Sequence, residues 1–149
     1  MVTKANIESF LSQPAIAVAG VSSQKNKFGN QVYQSLKSNG YQVYALNPKA
    51  VSNPEIDFKK NLDELPSEVK ALLILTRPEN SQQWVEQAIK KGYSHIWIQQ
   101  GCHTAESLET AKNTLPGTIH GECILMHTNP KGIHAFHRFL RKLFGGMPK

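Results

Sequence analysis

Ala15-Ile-Ala-Val-Ala-Gly-Val-Ser-Ser23, continued by Gln24-Lys-Asn-Lys-Phe-Gly29, is the stretch that decides the fold. A short apolar run of this kind reads as a strand buried on both faces of a sheet. The run stops at Gly20, turns through Val21, Ser22 and Ser23, passes Lys25 and Lys27, and re-enters regular structure as a helix near Gly29. A buried strand, a loop long enough to wrap a phosphate and a helix N-terminus thus follow one another. The first turn of a helix carries N–H groups without intrahelical acceptors and about half a positive charge, so this junction suits an anion.

Downstream, Val32, Tyr33 and Leu36 give the helix an apolar face, and Gly40 stands where a left-handed residue ends it. Tyr41–Leu46 reads as a second strand halted by Asn47-Pro48, and a strand-helix-strand unit of this length implies a parallel, right-handed crossover. Upstream, Ile7, Phe10 and Leu11 place a short helix over Asn6–Ser12, closed by Pro14. Beyond Lys49 the periodicity fades; Asn61-Leu-Asp-Glu-Leu65 reads as a single helical turn. Ala71–Leu75 is a third, fully apolar strand, ended by Thr76-Arg77-Pro78, and Pro78 suits the first position of a helix that runs to Lys91 and buries Trp84, Val85, Ala88 and Ile89. His95–Ile98 is a fourth strand, Thr104 caps a helix over Ala105–Leu115, Thr118–Glu122 is a last strand, and Ile124–Met126 reads as a short extended segment. Asn129 and Pro130 open a final amphipathic helix with Ile133, Phe136, Phe139, Leu140, Leu143 and Phe144 on one side. The expected architecture is α/β: one doubly wound, Rossmann-like domain over residues 1–149, a mostly parallel five-stranded sheet with helices on both faces, and residues 126–149 packed on it as the amphipathic helix.

Composition agrees with a globular chain: 40% of the 149 residues are hydrophobic and 19% charged. No apolar run approaches the roughly 20 residues that cross a bilayer, so no membrane partner is expected. Met1-Val-Thr-Lys-Ala-Asn6 lacks the basic-then-apolar pattern of a signal peptide, and two cysteines make no disulfide framework, which together point to the cytoplasm. The net charge of +6 invites nucleic acid, but the cations divide between Lys25 and Lys27 and a C-terminal group of Lys131, Arg138, Arg141, Lys142 and Lys149, with no nucleic-acid-binding motif. A small polyphosphate uses the loop cations equally well. His120, His127, His134 and His137 do not make a metal site on this pattern, since Arg138 and Arg141 oppose a cation beside the last two.

In an open parallel sheet ligands sit beyond the carboxyl ends of the strands, where strand order reverses. The residues that follow strands are Gly20–Ser23, Asn47–Lys49, Thr76–Pro78 and Gln99–Gly101, and these are the site candidates. The opening loop lacks the further glycines of the dinucleotide fingerprint and the G-K-[ST] of a P-loop. An NAD site places an acid after the second strand for the ribose hydroxyl; here Asn47-Pro48-Lys49 offers a cation instead, which permits a ribose carrying an extra phosphate, as in NADP or coenzyme A. No residue pattern identifies a catalytic group. Cys123, at the carboxyl end of the last strand, is read as a small buried hydrophobe before a reactive thiol.

Taken in order, Ala17-Val-Ala-Gly-Val-Ser-Ser23, Gly40-Tyr-Gln-Val-Tyr-Ala-Leu-Asn-Pro-Lys49, Leu62-Asp-Glu-Leu-Pro66, Thr76-Arg-Pro78 and Trp97-Ile-Gln-Gln-Gly101 resemble the small, single-domain CoA-binding proteins, similar in turn to the CoA-binding domain that opens the α subunit of succinyl-CoA ligase. The resemblance extends from Ile7 to Met126, and the tail from His127 is similar to the end of some of these proteins. It implies a Rossmann-like fold in which Gly20, Val21, Ser22 and Ser23 line the CoA diphosphate and Lys27 neutralises it. By the same resemblance, Asn47, Pro48 and Lys49 border the adenosine 3′-phosphate, Thr76, Arg77 and Pro78 touch the adenine or pantetheine, Gln99 meets the pantetheine arm, and Cys123 matches a cysteine near the end of the family pattern. Ile119-His-Gly-Glu122 does not match the ligase's phosphohistidine segment, so the resemblance is to a binding module without the ligase reaction. The expected function is binding of coenzyme A or an acyl-CoA without catalysis. Two alternatives stand beside it: another nucleotide such as NADP, or thiol–disulfide exchange with CoA at Cys123.

Overall fold

The computed structural model describes residues 1–50 and 52–128. Strands β1 (Ile16–Ala19), β2 (Val43–Leu46), β3 (Phe58–Lys59), β4 (Ala71–Ile74), β5 (His95–Ile98) and β6 (Ile119–His120) form one sheet in the order β3-β2-β1-β4-β5-β6. Every pairing is parallel, with β1 central between β2 (Ala17 opposite Tyr44) and β4 (Ala17 opposite Leu72). The chain winds outward in one direction from β1 to β3 and in the other from β4 to β6, so strand order reverses between β1 and β4. The expected doubly wound α/β architecture is therefore present; among the described residues the sheet has six strands in place of five and no antiparallel member.

The strand the sequence reading missed is β3. It is two residues long, too short for any hydrophobic period, and its edge position is marked by Lys59, which pairs with Asp57 at 3.2 Å. The last strand shrinks to Ile119–His120, and the segment expected to be extended at Ile124–Met126 instead enters a short helix, α5 (Leu125–Thr128). Three apolar residues in a row do not distinguish one helical turn from a strand end. The expected C-terminal helix beyond Thr128, with its cationic and apolar faces, lies outside the described residues.

Side chains alternate across the sheet, and each face meets its own helices. Ile16, Val18, Leu73 and Trp97 face α1 (Lys4–Leu11), α2 (Phe28–Ser38) and α5; Ala17, Ala19, Leu72, Ile74, Ile96 and Ile98 face α3 (Pro78–Lys90) and α4 (Ala105–Thr114). All of these strand residues are essentially without solvent exposure, which is why the strands read as continuous apolar runs. Helix α1 begins earlier than its apolar spacing indicates because Thr3 and Asn6 form a reciprocal capping box. It is fastened by Phe10, fully buried and edge-on to Trp97 at 5.3 Å between ring centres, and burying such a side chain contributes roughly 1.5–3 kcal/mol. Among the described residues no helix is long and apolar enough to cross a membrane.

Candidate functional site

The carboxyl ends of β1 and β4 come together at the reversal point, and Gly20 is the residue that lets them. Its φ is +93°, and a Cβ there would stand 2.8 Å from the Leu75 carbonyl carbon and 2.9 Å from the Thr76 nitrogen. Glycine is thus required twice over, for the left-handed backbone and for the close approach. Beside it opens a cavity of about 370 Å³ walled by Gly20, Asn47, Pro48, Lys49, Thr76, Asn80, Gln83 and Trp84. Five of these, Gly20, Asn47, Pro48, Lys49 and Thr76, are residues that sequence reasoning placed after three different strands. Asn80, Gln83 and Trp84 were missed as site residues. Their spacing of i, i+3 and i+4 on α3 puts them on one side of the helix that follows Thr76, a signal legible in retrospect.

The loop between β1 and α2 is held from behind. Asn47 donates its amide to the Val21 carbonyl at 2.9 Å and accepts from the Lys49 N–H at 3.0 Å. This explains an asparagine where an NAD site carries an acid: a carboxylate cannot donate to a carbonyl. Asn30 donates to the Ser22 carbonyl at 2.8 Å and Asn53 to the Ser23 carbonyl at 3.1 Å. The Ser22 hydroxyl accepts from the Gln24 N–H at 3.1 Å. Among the described residues the N–H groups of Ser22 and Ser23 have no acceptor. Val21 is fully buried, so its side chain belongs to the core and only its backbone is available to a ligand.

Helices α2 and α3 both start at this point, and both start unfavourably. Their N-cap residues are Lys27 and Arg77, with no side-chain cap hydrogen bond at either. By contrast, α1 and α4, which begin elsewhere, each have a full capping box, Thr3 with Asn6 and Thr104 with Ser107. A cation beside a helix N-terminus opposes the helix dipole by about 0.3–1 kcal/mol. Pro78 occupies the first position of α3 as expected, and Glu79 in its first turn offsets part of the charge. Among the described residues Lys27, Lys49 and Arg77 have no carboxylate partner, whereas Lys25 pairs with Glu55 at 3.3 Å. The buried Thr76 hydroxyl, on the cavity wall, has no hydrogen-bond partner either. A buried hydroxyl left unpaired costs about 1–3 kcal/mol, which a ligand acceptor removes. Unused amide donors, free cations and an orphaned hydroxyl together fit a phosphate-bearing ligand.

Gln99 and Cys123 lie deeper than the rest. Gln99 is 1% exposed, accepts from the Ile124 N–H at 3.1 Å, and leaves its amide nitrogen without a partner. Cys123 is 4% exposed; burial pushes its thiol up, against the pull of the neighbouring Gln99 amide and of the Leu125 and Met126 N–H groups. Cys102, also buried, is pushed up to about 11 by burial and by the proximity of Cys123. Raised thiols are protonated at neutral pH and react slowly. Iodoacetamide at pH 7 is therefore expected to leave both cysteines unmodified in the folded protein and to label both in denaturant, read by intact mass. Rapid labelling of Cys123 in the native protein would show a thiolate where the structure places a thiol.

Comparison with known proteins gives the same direction. The sequence matches the family described as a CoA binding domain over residues 14–129. Among solved structures, a conserved hypothetical protein from Pyrococcus furiosus is 25% identical, with 76% of this chain and 98% of that one covered and a TM-score of 0.69. A hypothetical protein from Pyrococcus horikoshii OT3 is also 25% identical, covering 84% and 89% at a TM-score of 0.74. The dinucleotide forming acetyl-coenzyme A synthetase 1 of Ca. Korarchaeum cryptofilum is similar in fold, at 20% identity over 76% of this chain and 27% of that one, with a TM-score of 0.61. No curated protein matches the sequence. The match over residues 14–129 takes in every strand of the sheet, and on it this chain belongs to the CoA binding domain family.

Proposed function

We propose that this chain binds coenzyme A or an acyl-CoA as a stand-alone module and does not transform it. The observation that carries the reading is the pair of uncapped helix N-termini, headed by Lys27 and Arg77, that converge where strand order reverses. In this reading the diphosphate lies against the Ser22 and Ser23 N–H groups and the start of α2. Lys49 meets the phosphate on the ribose, and Thr76 supplies its unpaired hydroxyl to the adenine or pantetheine. Support for binding without chemistry comes from the cavity wall. Gly20, Asn47, Pro48, Lys49, Thr76, Asn80, Gln83 and Trp84 offer amides, a hydroxyl and one cation, but no carboxylate, imidazole or thiol to act as a general base. The buried thiol of Cys123 argues likewise against disulfide exchange as the ordinary role.

Titration calorimetry with CoA, acetyl-CoA, NADP and NAD tests the reading. CoA and acetyl-CoA are expected to bind with similar affinity and more tightly than NADP, with NAD weakest because its ribose brings no phosphate to Lys49. Binding of NADP or NAD without binding of either CoA species at millimolar ligand would overturn it. Recovery of CoA unchanged after incubation with the protein, by mass spectrometry, is the expected result for a module that performs no reaction.

A further inference from the structure

Three asparagines from three different places in the chain each donate to one of three successive carbonyls of a single loop. Asn47 at the end of β2 takes Val21, Asn30 in the first turn of α2 takes Ser22, and Asn53 between β2 and β3 takes Ser23. Among the described residues no peptide bond is cis. In a trans peptide the carbonyl of one residue and the N–H of the next point in opposite directions. Each held carbonyl therefore fixes the direction of the N–H that follows it: that of Ser22 behind the Val21 carbonyl and that of Ser23 behind the Ser22 carbonyl. The third N–H of the series, that of Gln24, is turned inward to the Ser22 hydroxyl. The arrangement leaves two adjacent, unpaired amide donors in fixed orientation.

We propose that Asn47 and Asn30 are positioning residues that hold these two N–H groups ready for the diphosphate of the ligand, and that Asn53 supports them by fixing the next peptide of the loop, whose Gln24 N–H stays turned to the Ser22 hydroxyl, although none of the three need touch the diphosphate. Asn30 is 2% exposed, so it acts from behind the loop. Asn53 does more than hold Ser23: its oxygen accepts from the Glu55 N–H at 2.8 Å, and Glu55 in turn pairs with Lys25 in the loop. The segment around Asn53 is thus a brace joined to the loop at both ends. Asparagine is the residue these positions require, because a carboxylate of the same shape would face a carbonyl with an acceptor and bring negative charge behind a phosphate seat. Donors already oriented avoid the ordering cost that a flexible loop meets on binding.

The proposal rests on the diphosphate reading of the loop, and ADP, which carries a diphosphate but no pantetheine, is the probe that separates the two. In amide-resolved NMR of the wild type, ADP is expected to shift the Ser22 and Ser23 resonances and that of Thr76. Asn53→Ala, at a half-buried position of a mostly exposed loop, and Asn30→Leu, neutral and of similar size, are expected each to weaken ADP and CoA by about tenfold, the upper end of what one neutral hydrogen bond contributes. In both variants the Ser22 and Ser23 resonances should respond less while Thr76 still responds, a pattern that general loss of stability does not produce. No shift at Ser22 or Ser23 in the wild type would sink the diphosphate reading itself. A wild type that responds, with variants that keep its affinity within twofold, would overturn the positioning role and leave that reading intact. If Asn30→Leu does not fold by circular dichroism, Asn53→Ala decides alone.

Discussion

Replacing Gly29 by alanine is expected to lower the melting temperature by several degrees and to weaken CoA binding at the same time. Helix propensity predicts the opposite for stability, since alanine in a helix is worth about 1 kcal/mol over glycine. The obstacle is steric. A Cβ on Gly29 would overlap the Gly20 carbonyl oxygen, and it would lie 3.1 Å from the Gly20 carbonyl carbon and 3.3 Å from the Val21 Cα. All three neighbours are backbone, in the loop that three asparagines hold in place, so no side chain can swing aside. Forcing an extra methyl into a packed site costs about 1–3 kcal/mol, and rigid backbone puts this case at the upper end. The net is a loss of about 2 kcal/mol, or roughly 4–8 °C for a chain of this size. The start of α2 must move away from Gly20 to admit the methyl, which takes the helix N-terminus from its place beside Ser22 and Ser23. Gly40→Ala is the control: its φ is +89° but nothing stands within 4 Å of an added Cβ, so it should lose about 1 kcal/mol from backbone strain and keep full CoA affinity. A melting temperature for Gly29→Ala equal to or above that of the wild type would show that α2 and the loop can part without cost.

These glycines also show what was legible in the sequence and what was not. Gly20 marked the end of β1 because an apolar run stopped there, and the four segments following strands marked the carboxyl end of the sheet, but which neighbouring strands hold the reversal point depends on the strand order, which no local pattern carries. Gly29 looked only like a helix start; its contact with Gly20 is tertiary, and no local pattern reports it. The asparagines divide the same way. Asn47 stood out through its place before Pro48, and the structure adds that its side chain faces the Val21 carbonyl. Asn30 and Asn53 carried no signal, because a lone asparagine in a helix or a turn is ordinary until its partner across the chain is known. Strand β3 was invisible for the same reason: Phe58 and Lys59 become a strand by pairing with Ala45 and Leu46. Gln99 was placed correctly after β5, but its burial behind Ile124 depends on how β6 and its following turn return to the sheet.

The electrostatic character of the site yields the largest expected change in binding. Ser22→Glu should reduce affinity for CoA by more than a hundredfold while leaving the circular dichroism spectrum unchanged. Ser22 is half-buried in the loop, its hydroxyl turned to the Gln24 N–H, and a glutamate there projects from the loop beside the two N–H groups assigned to the diphosphate. A carboxylate about 5 Å from one phosphate charge, at an effective dielectric constant near 20, repels it by about 3 kcal/mol, which is already more than two decades in affinity. The free protein does not suffer the same penalty, because Lys27 and the uncapped start of α2 welcome a negative charge when no ligand is present. Ser22→Gln separates charge from bulk: similar in size and neutral, it should lose only the hydroxyl's bond to Gln24 and the space the side chain takes, about tenfold in affinity. Raising the salt concentration should narrow the gap between the two variants, since screening weakens the repulsion and not the steric effect. Equal losses for glutamate and glutamine would assign the effect to crowding, and full affinity in Ser22→Glu would remove the diphosphate from this loop altogether.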